Sequence, residues 1–195
     1  MIILPISSLP YLKAQHTKLP EDSLESSYNN WIQQYIKNIS PYLPKKINSI
    51  TDVGAGIGGV ATALHKKYNC FVNIIEKDIW EKDKPIIAYH NNHKQFGGYN
   101  SFATTKELWE INKADMNKLK LINADDILTD KVNFPKSDVV ISTLSWGFHY
   151  PVDTYFEKAK TTNALIILDC RKGVDVPLNG ECIFEGLKFK RMLWS

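Results

Sequence analysis

The chain has 195 residues, 44% of them hydrophobic and 23% charged, with a formal net charge of +3. Such a composition is globular and the length suits one domain with a full core, which excludes a disulfide mini-protein, a collagen-like repeat and a disordered tail. Arg171 and Arg191 are the only arginines among 24 basic residues; bidentate phosphate or guanine readout prefers Arg, so a nucleic-acid reader is not expected.

Cys70, Cys170 and Cys182 are scattered and form no Cys-x-x-Cys pair, so neither a zinc ribbon nor a thioredoxin-like site is offered, and reduced thiols in a cytoplasmic compartment are the expectation. No apolar run reaches membrane-spanning length. The opening Met1-Ile2-Ile3-Leu4 is cut by Pro5 and has no basic lead, which makes it a poor signal peptide.

In chain order, Leu24, Tyr28, Trp31, Ile32, Tyr35, Ile36 and Ile39 recur at helical spacing and predict a helix over 23–39. Asp22, with Glu25 three positions on, is the expected cap, and Pro41 and Pro44 stop the helix. Residues 47–53 read as a buried strand, 60–68 as a short helix and 71–75 as a second apolar strand. The stretch 77–118 is longer than one crossover needs. Asn91, Asn92, Gly97, Gly98 and Asn100 break it, and a helix is expected from Thr104, where Thr104 and Glu107 make a capping box. Further strands are predicted over 119–122, 138–143 and 164–168, and a helix from Pro151 to about Lys160. The tail from Cys182 to Trp194 reads as a strand or hairpin turning at Gly186. Strands alternating with helices predict an open, doubly wound α/β sheet, mostly parallel.

The most informative stretch is Asp52-Val53-Gly54-Ala55-Gly56-Ile57-Gly58-Gly59. A strand ends, glycines turn the backbone, and a helix begins with free N–H groups, a cradle for a ligand that approaches the main chain closely. Gly54-x-Gly56-x-x-Gly59 matches a dinucleotide fingerprint, with Glu76 closing the next strand for a ribose. Asp52 argues against that ligand, because a carboxylate beside a pyrophosphate is repulsive.

Asp52-x-Gly54-x-Gly56-x-Gly58 resembles instead the first motif of the class I S-adenosylmethionine (SAM)-dependent methyltransferases. The resemblance implies SAM as cofactor and S-adenosylhomocysteine as product. A carboxylate suits the cofactor's sulfonium and ammonium charges. The resemblance also places Gly54, Ala55, Gly56 and Gly58 against the cofactor, Glu76 on the ribose hydroxyls, and Asp125 or Asp126 near the adenine. Ser137-Asp138-Val139-Val140-Ile141-Ser142 resembles the family's fourth strand, and Ser142 is a further cofactor candidate. The fold implied is Rossmann-like, a single domain over 1–195 with a helical lid segment at 1–46 and a core over 47–195. Only 25 residues follow Cys170, so the last crossover helix does not fit and a shortened C-terminal strand region is expected.

The acceptor in this family meets the methyl group just past strand four, here Thr143-Leu144-Ser145-Trp146-Gly147-Phe148-His149-Tyr150-Pro151. The Asn/Asp-Pro-Pro-Tyr motif of amino-group methylation is absent and no Cys is present to attack a pyrimidine. The Ser-Trp-Gly-Phe-His-Tyr-Pro run is similar to a group of sugar O-methyltransferases, which implies a small-molecule hydroxyl as acceptor. His149, with an ordinary pKa of about 6.5, is the candidate general base, and Trp146 and Tyr150 are candidate pocket walls. His90, Asn91, Asn92 and His93 lack a carboxylate at useful spacing, so no metal is expected. Trp80, Tyr99 and Trp109 read as core or lid residues. An NAD(P)-dependent oxidoreductase and a catalytically inactive SAM-binding subunit remain the alternative readings.

Overall fold

Alternation builds the sheet. In Val139-Val140-Ile141 and Ile166-Ile167-Leu168 successive side chains turn to opposite faces, so Val139, Ile141 and Ile167 enter one core cluster and Val140, Ile166 and Leu168 another. The computed structural model describes residues 1–15, 19–78, 101–149, 151–177 and 179–195. Trp80, His90, Asn91, Asn92, His93, Tyr99 and Tyr150 lie outside the described residues.

Among the described residues there are seven strands, β1 (Ser49–Val53), β2 (Phe71–Glu76), β3 (Leu119–Asn123), β4 (Val139–Ser142), β5 (Leu165–Arg171), β6 (Glu181–Glu185) and β7 (Phe189–Trp194). Their spatial order is β3-β2-β1-β4-β5-β7-β6. The first five are parallel, and β7 runs antiparallel between β5 and β6. The helices are α1 (Leu9–Gln15), α2 (Leu24–Ile39), α3 (Gly59–Tyr68), α4 (Phe102–Ile111), α5 (Ala124–Leu128) and α6 (Asp153–Lys160). Residues of α1 to α4 join the cluster of Val139 and Ile167, whereas α5 and α6 join that of Val140 and Leu168. The strand order reverses between β1 and β4, and the carboxyl ends of the strands at such a switch point are where open α/β sheets bind ligands.

Several boundaries differ from the expectation, each for a local reason. Ser23, not Asp22, precedes α2, and its hydroxyl donates to the Pro20 carbonyl at 2.8 Å. α4 begins at Phe102 because the Ser101 hydroxyl accepts the Thr104 N–H at 3.2 Å; Glu107 accepts a hydrogen bond from Ser7 instead of closing a capping box. α6 starts two residues after Pro151. The shortening at the C-terminal end falls on the connection and not on the strands. No helix stands between β5 and β6 among the described residues, yet the β6–β7 hairpin completes the sheet, turning where Gly186 N–H donates to Phe189 O at 2.9 Å.

Two asparagines seat the N-terminal segment. Asn29 of α2 accepts the Ile2 N–H at 2.6 Å and donates to the Ile2 carbonyl at 2.8 Å. Asn112, just past α4, does the same for Ile3 at 2.9 and 2.7 Å. Each amide imitates one rung of a β-ladder, so the segment is held without a strand partner. No helix among the described residues is long and apolar enough to cross a membrane.

Candidate cofactor site at the carboxyl edge of the sheet

The turn between β1 and α3 is a chain of left-handed glycines, Gly54 at φ 69°, Gly56 at 59° and Gly58 at 84°. Side chains other than glycine adopt such angles at a cost, so the glycines are what let the backbone reverse there. Gly54 N–H donates to Ile75 O at 2.8 Å, tying the turn to β2. α3 follows at once, with Gly58, which has no side chain to cap it, as its N-cap.

β1 and β2 deliver two carboxyls to this turn. Asp52 pairs in register with Ile74, and Glu76 ends β2 opposite Asn123 of β3. Glu76 turns back to the loop: one oxygen accepts Gly56 N–H at 3.0 Å and the other accepts Lys77 N–H at 2.9 Å. Asp52 is 1% exposed, and its Oδ1 has no hydrogen-bond partner. Burial pushes Glu76 up to about 7, against the pull of the Lys77 and Gly56 amides and the Lys77 ammonium. Burial and then the charge of Glu76 push Asp52 up to about 8. Both carboxyls are thus raised together, chiefly by burial, and the charge of Glu76 adds to the rise at Asp52. A buried carboxyl with a free oxygen at a glycine turn is a receptor for a cationic or hydrogen-bond-donating ligand.

Tyrosines from the helical segment cover the turn, a contribution that spacing alone did not reveal. A Cβ at Gly56 would lie 2.5 Å from the Tyr11 hydroxyl, and one at Gly59 would lie 2.4 Å from that of Tyr28. α1 thus places Tyr11 over Gly56, and α2 places Tyr28 over Gly59. Burial, then the charge of Glu76, holds the Tyr11 phenol above its ordinary range.

The other sequence-selected residues divide. Asp125 lies in the first turn of α5 and pairs at 3.2 Å with Lys77, the residue after Glu76. Asp126 pairs with Lys131 at 3.8 Å. The Ser142 hydroxyl is fully buried, donating to Val53 O at 2.7 Å and accepting Trp146 N–H at 2.9 Å, so it pins the end of β1 to the loop after β4. Trp146, expected in a pocket wall, is fully buried in the core with its indole N–H on Val152 O at 2.7 Å. His149 is exposed, edge-on to Phe148. It lines an open cavity of about 700 Å³ with Phe148, Asp153, Arg171 and Asp175, beyond the ends of β4 and β5. Arg171 lies over the Phe148 ring at 5.1 Å. The carboxyls gather at the turn, and His149 belongs to this second region.

No protein-family model matches the chain, and no curated protein does. Solved structures do. The Escherichia coli protein yhhF, assigned as a methyltransferase, superposes with a TM-score of 0.54 at 13% identity, over 85% of this chain and 83% of that one. The O-methyltransferase segment of StiE, residues 961–1257, gives 0.51 at 15% identity over 86% of this chain; this chain spans 53% of that segment. An E81Q mutant of MtNAS gives 0.51 at 17% identity, over 96% of this chain and 69% of that one. With its strand order and antiparallel β7, the chain has the Rossmann-like fold of the class I methyltransferases.

Proposed function

We propose that the chain is a SAM-dependent methyltransferase acting on a hydroxyl of a small molecule, with a sugar as the acceptor class that its loop resembles. The observation that carries the reading is the unpartnered Asp52 carboxyl, buried beside Glu76 at a turn of left-handed glycines. SAM, when bound, supplies an activated methyl group, so the protein's task is chiefly to position. Asp52 faces the ammonium end, where a positive charge draws off its proton. Glu76 keeps a lone pair on each oxygen for the ribose hydroxyls. Asp125, with Asp126 beside it, borders the adenine. The Gly54–Gly58 backbone admits the methionine tail closely, and Ser142 holds the floor by fastening β1 to the loop after β4. With SAM bound, the acceptor oxygen would take the methyl group from the sulfonium, S-adenosylhomocysteine would leave, and His149 would accept the hydroxyl proton.

Calorimetry with SAM, S-adenosylhomocysteine and NAD(H) in parallel tests this reading. SAM and its product are expected to bind in the micromolar range, about 8 kcal/mol at 1 μM, and NAD(H) is expected not to bind. Tighter binding of NAD than of SAM would overturn the methyltransferase reading.

A further inference from the structure

The cavity of about 700 Å³ is built by the loops that leave β4 and β5. Arg171 ends β5, and its main-chain N–H donates to Gly147 O at 2.9 Å, which ties that strand end to the loop after β4. Gly173 then turns the chain at φ 83°, and Val174 N–H donates to Arg171 O at 3.3 Å. The turn brings Asp175 into the lining, and Asp153 enters it from the first turn of α6.

Arg171, Asp153 and Asp175 bring one positive and two negative charges to this lining, all three exposed. Among the described residues no ion pair joins them to one another. The next cation is drawn off, since Lys172 pairs with Glu185 of β6 at 2.6 Å. The Arg171 guanidinium lies over the Phe148 ring, which leaves the N–H groups at its rim able to donate. His149 meets the same ring edge-on, centroids 5.0 Å apart, so one small ligand can reach from Arg171 to His149. An anion here would gain Arg171 and be opposed by two carboxylates; a cation would gain the carboxylates and be opposed by Arg171. A hydroxyl both donates and accepts. A ring of hydroxyls can donate to Asp153 and Asp175 and accept from Arg171, with no charge to be opposed. Its C–H face suits the wall of Pro151, Val152, Val174 and Val176, and the volume falls in the range of small-molecule pockets, about 300–1,000 Å³.

We propose that this cavity seats the methyl acceptor, that the acceptor is an uncharged cyclic polyol, and that Arg171, Asp153 and Asp175 are its specificity residues. This rests on the methyltransferase reading and deepens it, naming the residues that read the acceptor and the charge it must lack. Asp153 and Asp175 accept from hydroxyls of the ring, Arg171 donates to another, and the ring so held presents a hydroxyl to His149. The two carboxylates also turn away a phosphorylated or acidic form of the same ring.

The test uses glucose, mannose, galactose and myo-inositol as probes, with glucose 6-phosphate, glucuronate, glucosamine and serine as charged controls. Binding to the full chain is read by saturation-transfer NMR and calorimetry, with and without S-adenosylhomocysteine, and transfer of labelled methyl from SAM is measured in parallel. At least one neutral probe should accept methyl and bind at least tenfold more tightly than every charged control. Asp153→Asn combined with Asp175→Asn should weaken that probe at least tenfold and narrow its lead over glucose 6-phosphate. Arg171→Gln should raise the acceptor KM at least tenfold. Both variants should keep their unfolding midpoint and their affinity for S-adenosylhomocysteine, because the altered groups are exposed. Failure of all four neutral probes, tighter binding of any charged control, or unchanged binding by the variants would each overturn the proposal. If S-adenosylhomocysteine binds and no polyol does, this inference alone falls. If a polyol binds in the cavity and S-adenosylhomocysteine does not, the methyltransferase reading falls and takes the acceptor role with it.

Discussion

Under α2, between β1 and β7, polar atoms lie buried with no partner; past β4 and β5, a cavity of about 700 Å³ stands open, with His149 and Arg171 in its lining. In the first region the folded chain bears a cost that a ligand can relieve, so binding and stability are linked there. In the second, the polar groups already meet solvent, and changing them should alter chemistry with little effect on folding. The contrast gives each region its own experimental signature.

The largest effect is expected at the open cavity. His149→Ala should leave SAM affinity within a few fold and stability within about 0.5 kcal/mol, while lowering turnover by about 10²–10⁴. Wild-type turnover should rise with pH through the imidazole's titration, and the variant should lose that step. Normal turnover in the variant would make His149 a wall of the cavity and move the proton acceptor into the enclosed region.

The pH dependence of stability should come from the enclosed region. Asp52 and Glu76 titrate near 8 and 7 in the folded chain, but near 4 when unfolded. Between these limits the folded state binds more protons, so stability is greatest near pH 4, falls as pH rises, and levels off above about 8. Asp52→Asn should flatten that slope in urea unfolding measured from pH 5 to 8. A cationic ligand reverses the sense, and SAM affinity should climb over the same window as the two protons leave.

Glu76→Ala should weaken SAM binding by about 1.5–3 kcal/mol, as for hydrogen bonds to a charged group. Circular dichroism should show an intact fold. Unchanged affinity would assign the ribose to another strand-end group, with Asp78 the first to examine.

A pair of glycines sharpens the comparison at smaller cost. At Gly59 an added Cβ would come within 2.4 Å of the Tyr28 hydroxyl and 2.8 Å of Ile32 Cδ1. Gly59→Ala should cost about 1–3 kcal/mol, as overpacking does. At Gly173, which borders the open cavity at φ 83°, nothing lies within 4 Å. Gly173→Ala should cost only the backbone term, about 1 kcal/mol. Equal losses at the two sites would mean that the regions do not differ in packing.

What could be read before the structure was local. The glycine turn, the strand alternation and the carboxylate closing β2 announce themselves because each depends on neighbouring residues. Asp169 and Arg191 do not, because they meet only through the β5–β7 register, 22 positions apart. Tyr11 over Gly56 depends on how α1 is seated, which no periodicity encodes. Trp146 looked like a pocket aromatic by its place after β4, and its burial follows from the Val152 carbonyl that accepts its N–H. Ser101 displaced Thr104 as the cap of α4 because either residue has a competent hydroxyl and only the backbone angle chooses between them.

The clasp on Ile2 and Ile3 spans separations of 27 and 109 residues. Contacts this distant form late, since loop closure must come before they can contribute. The glycine turn can take shape within its own strand–helix unit, but Tyr11 has no fixed place over it until α4 and Asn112 have been made and packed. The earliest-built part of the site is then covered by one of the last segments to settle, and a folding defect as remote as Asn112 would be felt at the cofactor turn.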